Sequence, residues 1–140
     1  MIAEHVAQRC AQLHRAMVAA GTAFVPTHTT RKMDALASDP AYRSDARLRY
    51  RPGPLRLLWH NDADNMIARG GEGGAENYQA FYEFGLVQTG VAHRAGVTVL
   101  AGTDAPDSFV FPGSALHDEL EHLVAGGLSP LDALRSATLE

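Results

Sequence analysis

The sequence predicts an α/β fold: about three short parallel strands with flanking helices, in one domain spanning residues 1–140. Three observations predict it. Val97–Ala101 is a five-residue apolar run, too short and too β-branched for a good helix. Thr22–Thr27 (Thr-Ala-Phe-Val-Pro-Thr) is a second such run, ended by Pro26, which has no N–H to give a ladder. Around them lie segments whose apolar residues recur at three- and four-residue steps. Strands alternating with helices of this length indicate parallel pairing.

Ala7–Ala20 reads as a helix with Val6, Cys10, Leu13 and Met17 on one face and Gly21 as its stop. Cys10 on that face reads as a core thiol, and His14 beside it as a boundary residue. Residues 31–75 form a variable loop insertion. Met33–Ala37 and Tyr42–Tyr50 are short helical candidates, and Pro52-Gly53-Pro54 closes the second. Asp62 and Asp64 alternate as in a calcium loop but lack its glycine and distal glutamate. Arg69–Gly74 lacks the Gly-Lys-Ser/Thr ending of a phosphate loop and reads as a flexible hinge. Glu76–Arg94 is the longest helical signal, with Tyr78, Phe81, Tyr82, Gly85, Leu86 and Thr89 as its buried stripe. Ser114 is expected to cap a helix over Ala115–Ala125. Ser129-Pro130-Leu131-Asp132 opens the last helix with an N-cap, a proline at N1 and an acid at N3.

Composition narrows the function classes. A formal charge of −4 and a pI near 5.9 argue against a nucleic-acid binder. One cysteine allows no internal disulfide and fits a cytoplasmic location. No apolar run is long enough for a transmembrane helix. Seven of the twelve basic residues fall between Arg31 and Arg56. That segment reads either as a solvated face, as a surface that attracts an anionic substrate, or as a partner-binding surface.

The chemistry centres on Val97–Pro106. Gly102 lets the backbone turn after the strand, and Thr103-Asp104 follows at its carboxyl end, where parallel α/β folds place ligands. This run, Ala-Gly-Thr-Asp-Ala, is followed by Pro112-Gly113, Leu116-His117-Asp118-Glu119-Leu120, Ala125–Leu134 and Ala137-Thr138. Together they resemble the end of an amidohydrolase-superfamily metal-dependent hydrolase, closest to its imidazolonepropionase-like and prolidase-like groups. The resemblance implies a partial TIM-barrel-like (β/α) fragment, completed by oligomerisation, since a whole barrel takes roughly 250 residues.

The resemblance also implies roles. Asp104 corresponds to the eighth-strand aspartate that binds metal and acts as general base. Glu4-His5 matches the pair ending the sixth strand, which makes His5 a metal ligand, although that strand is nearly absent here. Val25-Pro26-Thr27 matches the end of the seventh strand. His28 follows it and departs from the pattern; it reads equally as a proton shuttle or extra ligand and as an exposed loop histidine. Thr103, Asp107 and Phe109 share the Asp104 loop and are the expected substrate contacts. Phe109-Val110-Phe111 reads as closing over a substrate or as covering an exposed edge.

The implied cofactor is a divalent metal, zinc first, if other chains complete the site; otherwise there is none. The sequence has no His-x-His, and two ligands are fewer than the three a catalytic zinc usually has. His117/Glu121 and Asp118/His122 share helix faces without making a helical zinc pair. The expected activity is hydrolysis of an amide, ester or phosphotriester of a small molecule, by water attack with Asp104 as base. The alternatives are a metal-independent esterase or phosphotriesterase pairing Asp104 with His28 or His5, and a non-catalytic self-associating barrel remnant. A homo-oligomer with no membrane partner is expected in each case.

Overall fold

A computed structural model describes residues 2–139, and the side chains of residues 8–139. Among the described residues there are seven α-helices and one 3₁₀ turn: α1 (Ile2–Ala20), α2 (His28–Leu36), α3 (Pro40–Arg43), the 3₁₀ turn Ala46–Tyr50, α4 (Gly53–Gly70), α5 (Gly74–Arg94), α6 (Ala115–Ala125) and α7 (Pro130–Ser136).

The expected α/β fragment is therefore corrected. In place of three parallel strands, the described residues hold one isolated parallel bridge, Phe24 to Val99. Its bonds are Phe24 N–H to the Thr98 carbonyl (2.8 Å) and Leu100 N–H to the Phe24 carbonyl (2.9 Å). The local chemistry explains why pairing stops. Pro26 lacks the next donor. Thr27 then turns left-handed at φ 53° and delivers the chain into α2. Glu4-His5, expected after a sixth strand, lies inside α1. The architecture is helical, and neither a barrel fragment nor a sheet for a second chain to complete is present among the described residues.

Two apolar clusters hold the helices. One joins α2, the 3₁₀ turn, α4 and the 109–111 loop through Met33, Leu48, Trp59, Ala63, Phe109 and Phe111. The other gathers Val99, Leu123, Leu128 and Ala133 where the bridged segment meets α6 and α7. Phe109-Val110-Phe111 is thus core rather than a lid: Trp59 meets Phe109 at 5.7 Å and Phe111 edge-on at 5.3 Å between centroids.

Residues 53–70 form a helix where a loop and hinge were expected. Pro54 occupies its first turn, and Leu55, Trp59, Ala63 and Met66 recur at helical steps on its inner side. Gly71, at φ 60°, caps its end, which is the role the glycine run plays. In α1 the inner side carries Cys10, His14 and Met17, while Leu13 points to solvent.

α5 packs chiefly on α2 and also meets α4 and α6. Its glycines set those distances. A Cβ at Gly90 would run into the carbonyl oxygen of Gly126, a backbone atom with nowhere to move. A glycine-to-alanine change inside a helix ordinarily gains about 1 kcal/mol. Here the clash reverses the sign, and Gly90→Ala is expected to lower stability by about 2 kcal/mol in urea unfolding. A stabilised variant would show that α5 and α6 do not meet this closely.

Candidate functional site

The two bridged segments run parallel, so their carboxyl ends, Thr27-His28 and Thr103-Asp104, emerge side by side. The Thr29 hydroxyl ties them by donating to the Thr103 carbonyl at 2.9 Å. Backbone strain concentrates here: the non-glycine residues with positive φ are Thr27 (53°), Asp104 (54°) and Phe109 (58°). Left-handed backbone is unfavourable for a β-branched or bulky residue and is held only by its surroundings. The Ala105–Pro106 peptide is cis.

Asp104 is exposed. The bonds around it belong to its neighbours. Ala105 N–H donates to Thr103 Oγ1 (3.3 Å), Asp107 N–H to the Asp104 carbonyl (3.0 Å) and Ser108 N–H to Asp107 Oδ1 (2.7 Å). The Asp104 carboxylate is left without a protein partner among the described residues. Thr103 and Asp107 frame it. Phe109 is committed to the core, packed against Tyr42, Trp59 and His60.

His28 is neither an exposed loop residue nor a partner of Asp104. It is the first residue of α2, and its ring is buried against α5. Nε2 lies 2.9 Å from Thr89 Oγ1, whose own proton goes to the Gly85 carbonyl. Nε2 must therefore carry the hydrogen, which leaves Nδ1 a bare lone pair with no partner. Burial lowers the His28 pKa to about 4, so the ring is neutral. His122, on α6, is its counterpart. Its Nδ1 lies 3.2 Å from the Tyr82 hydroxyl, its Nε2 is unpartnered, and burial, aided by Lys32, lowers its pKa to about 4.

Glu119, also on α6, is fully buried. Its Oε1 accepts from His28 N–H and its Oε2 from Thr29 N–H, each at 2.9 Å. A carboxylate on the first two amides of a helix satisfies donors that have no partner within that helix and meets the positive end of its dipole. Thr27, in left-handed backbone, makes no side-chain cap, and Glu119 supplies it from another helix. Burial raises the Glu119 pKa, and the two amides and the Thr29 side chain oppose that rise.

A cavity of about 220 Å³ opens beside Asp107, lined further by Asp34, Asp62, Asn65, Arg69 and Ser108. Asp34 has its pKa raised by burial, with Asp107 adding to the rise and Arg31 opposing it. A second cavity, about 200 Å³, lies at the amino end of the Val97–Ala101 segment between His93 and Asp132, away from Asp104.

Three of the seven basic residues between Arg31 and Arg56 are paired with acids. Arg31 pairs with Asp34, Arg43 with Asp64, and Arg47 with Asp45 and Asp118. Arg47 also stacks 4.4 Å over the Phe111 ring, so it serves the core.

Among the described residues no three His, Cys, Asp or Glu side chains converge. His28 is turned towards Thr89, and the His5 side chain lies outside the described ones. Among the described residues, no helix is long and apolar enough to cross a membrane.

No protein-family model, curated protein or solved structure matches the chain.

The sequence singles out Asp104, Thr103 and Asp107, which lie together, and His28, whose ring packs on α5 instead. It does not single out Glu119, Thr29 or Asp34. Glu119 was readable only as one acid on a helix. What distinguishes it is where α6 is placed, and no local spacing carries that.

Proposed function

We propose that the chain is a hydrolase acting on a small ester, amide or phosphotriester, with Asp104 as general base. The observation that supports it is the Asp104 carboxylate itself: unpartnered, exposed, and presented by left-handed backbone at the meeting point of the two extended segments. The Ala-Gly-Thr-Asp-Ala run, with its resemblance to the amidohydrolase pattern, points to the same residue. In the reaction a water attacks the acyl carbon or phosphorus while Asp104 takes its proton. The leaving group departs with that proton, and the carboxylate is regenerated. The cavity lined by Asp107 and Ser108, on the loop that carries Asp104, is the space this reading assigns to the substrate, although Asp104 itself does not line it.

Asp104→Asn tests this cleanly. Asparagine tolerates left-handed backbone as aspartate does, so the change removes the charge and keeps the conformation. Hydrolysis of p-nitrophenyl acetate and of a p-nitrophenyl phosphotriester is expected to fall about 100-fold with the thermal transition unchanged. Turnover equal to that of the unaltered chain would overturn the proposal.

A second reading, a non-catalytic self-associating chain, is favoured by one surface. Phe81, Phe84 and Val87 are 57%, 52% and 56% exposed on one side of α5. Stable oligomers by light scattering, with no turnover on any of these substrates, would favour this reading over the hydrolase.

A further inference from the structure

We infer that Glu119 is the positioning residue of the Asp104 corner, acting through Thr29 and the Thr103 carbonyl. The inference rests on the reading of Asp104 as the working carboxylate.

The connection is continuous. Glu119 holds the His28 and Thr29 amides at 2.9 Å each. Those amides fix the first turn of α2 directly after the left-handed Thr27. The Thr29 side chain then donates to the Thr103 carbonyl, also at 2.9 Å, on the residue that precedes Asp104. The bridge beyond Phe24 cannot continue past Pro26, and Thr30 Oγ1 bonds only locally, to the Thr27 carbonyl. Glu119 is thus the one side chain in this network that joins α6 to the turn presenting Asp104. A fully buried carboxylate with both oxygens engaged by backbone N–H groups has a defined geometry. A displacement of about 1 Å at a working group is enough to change a rate about 100-fold.

The test compares Glu119→Gln, Glu119→Asp and Thr29→Val with the unaltered chain and with Asp104→Asn. The readouts are kcat and KM on p-nitrophenyl acetate and the backbone amide and Asp104 side-chain carboxyl NMR signals. Glu119→Gln presents an NH₂ to one of two N–H donors and so releases the helix start. It is expected to lower kcat about tenfold with KM changed less than twofold, and to shift the Thr103 and Asp104 signals as well as those of His28 and Thr29. Glu119→Asp keeps the charge and is expected to recover part of the rate. Thr29→Val leaves Glu119 in place and cuts the link further along; it is expected to shift the Thr103 and Asp104 signals in the same sense. This second variant keeps the inference testable if Glu119→Gln does not fold.

Thr103 and Asp104 signals unmoved in Glu119→Gln or in Thr29→Val would overturn the positioning role, whatever the activity. Full turnover in Asp104→Asn would instead overturn the hydrolase reading. Shifted signals in that case would leave Glu119 as a clamp on a corner with no catalytic use, and the inference would fall with the reading it rests on.

Discussion

Trp59→Ala is expected to lower unfolding stability by about 4 kcal/mol, the upper part of what a buried aromatic deletion removes. Trp59 is 1% exposed and sits where α4 meets the 109–111 loop. It packs on Phe109 face-inclined and on Phe111 edge-on, so its removal opens a cavity between the two rings. A domain stable by about 5–15 kcal/mol loses a large share of that margin. The control lies on the same helix: Leu58→Ala removes an exposed residue and is expected to change stability by less than about 0.5 kcal/mol. Urea unfolding of both variants, with unchanged m-values, measures the difference. A Trp59→Ala chain as stable as Leu58→Ala would mean that the Phe109–Phe111 segment is not anchored on α4. The strained Phe109, at φ 58°, would then lack the packing that holds it.

That aromatic cluster also shows what the sequence carried and what it did not. Pro130–Ser136 is legible because Ser129-Pro130 marks its start and Ser129 accepts from the Asp132 amide, whereas Ser114 stands at the start of Ala115–Ala125 without capping it, its hydroxyl turned to the Phe111 carbonyl. Pro52-Gly53-Pro54 is ambiguous: it can close a helix, but Pro54 in a first turn opens one, and it is the recurrence of Leu55, Trp59, Ala63 and Met66 that decides for a helix. Val97–Ala101 and Thr22–Thr27 are extended and side by side, yet they pair through a single bridge. Strand propensity describes a chain segment, while a sheet requires partners with free N–H groups along their length. Thr103, Asp104 and Asp107 share a site because they are near in sequence. His28 was expected to face Asp104 because both end extended runs; it faces α5 instead, where Gly85 leaves room for its ring. Glu119 lies ninety-one residues from the amide it caps, and no spacing rule reaches that far.

Acid is expected to unfold the chain well before its carboxylates are exhausted. His28 and His122 both have pKa values lowered from 6.5 to about 4, chiefly by burial. Between these values the unfolded chain binds protons that the native chain refuses, so stability falls as pH drops through the window. It is complete above about pH 6.5 and fully lost by about pH 4. At pH 5 each histidine costs about 2 kcal/mol and the pair about 4 kcal/mol. The surroundings do not relieve this. His28 faces Tyr82 and Thr89 with its free Nδ1 unpartnered, and His122 has Lys32 and His28 against it and only Asp118 in its favour. Two acids act in the opposite sense. Glu119 and Asp34 have raised pKa values, so the native state takes up their protons earlier and regains some stability as pH approaches the ordinary carboxylate range. Asp45, whose pKa is lowered by Arg47, loses its contribution only below the window, near pH 4 and under. Urea midpoints at pH 7.5, 6.0 and 5.0 measure the slope, and His28→Gln with His122→Gln removes both titrations while keeping polar groups near Thr89 and Tyr82. The double variant is expected to be nearly flat across this range. A chain as stable at pH 5.0 as at pH 7.5, or a double variant with the original slope, would mean that these two rings are not held neutral by the packing of α5 against α2 and α6.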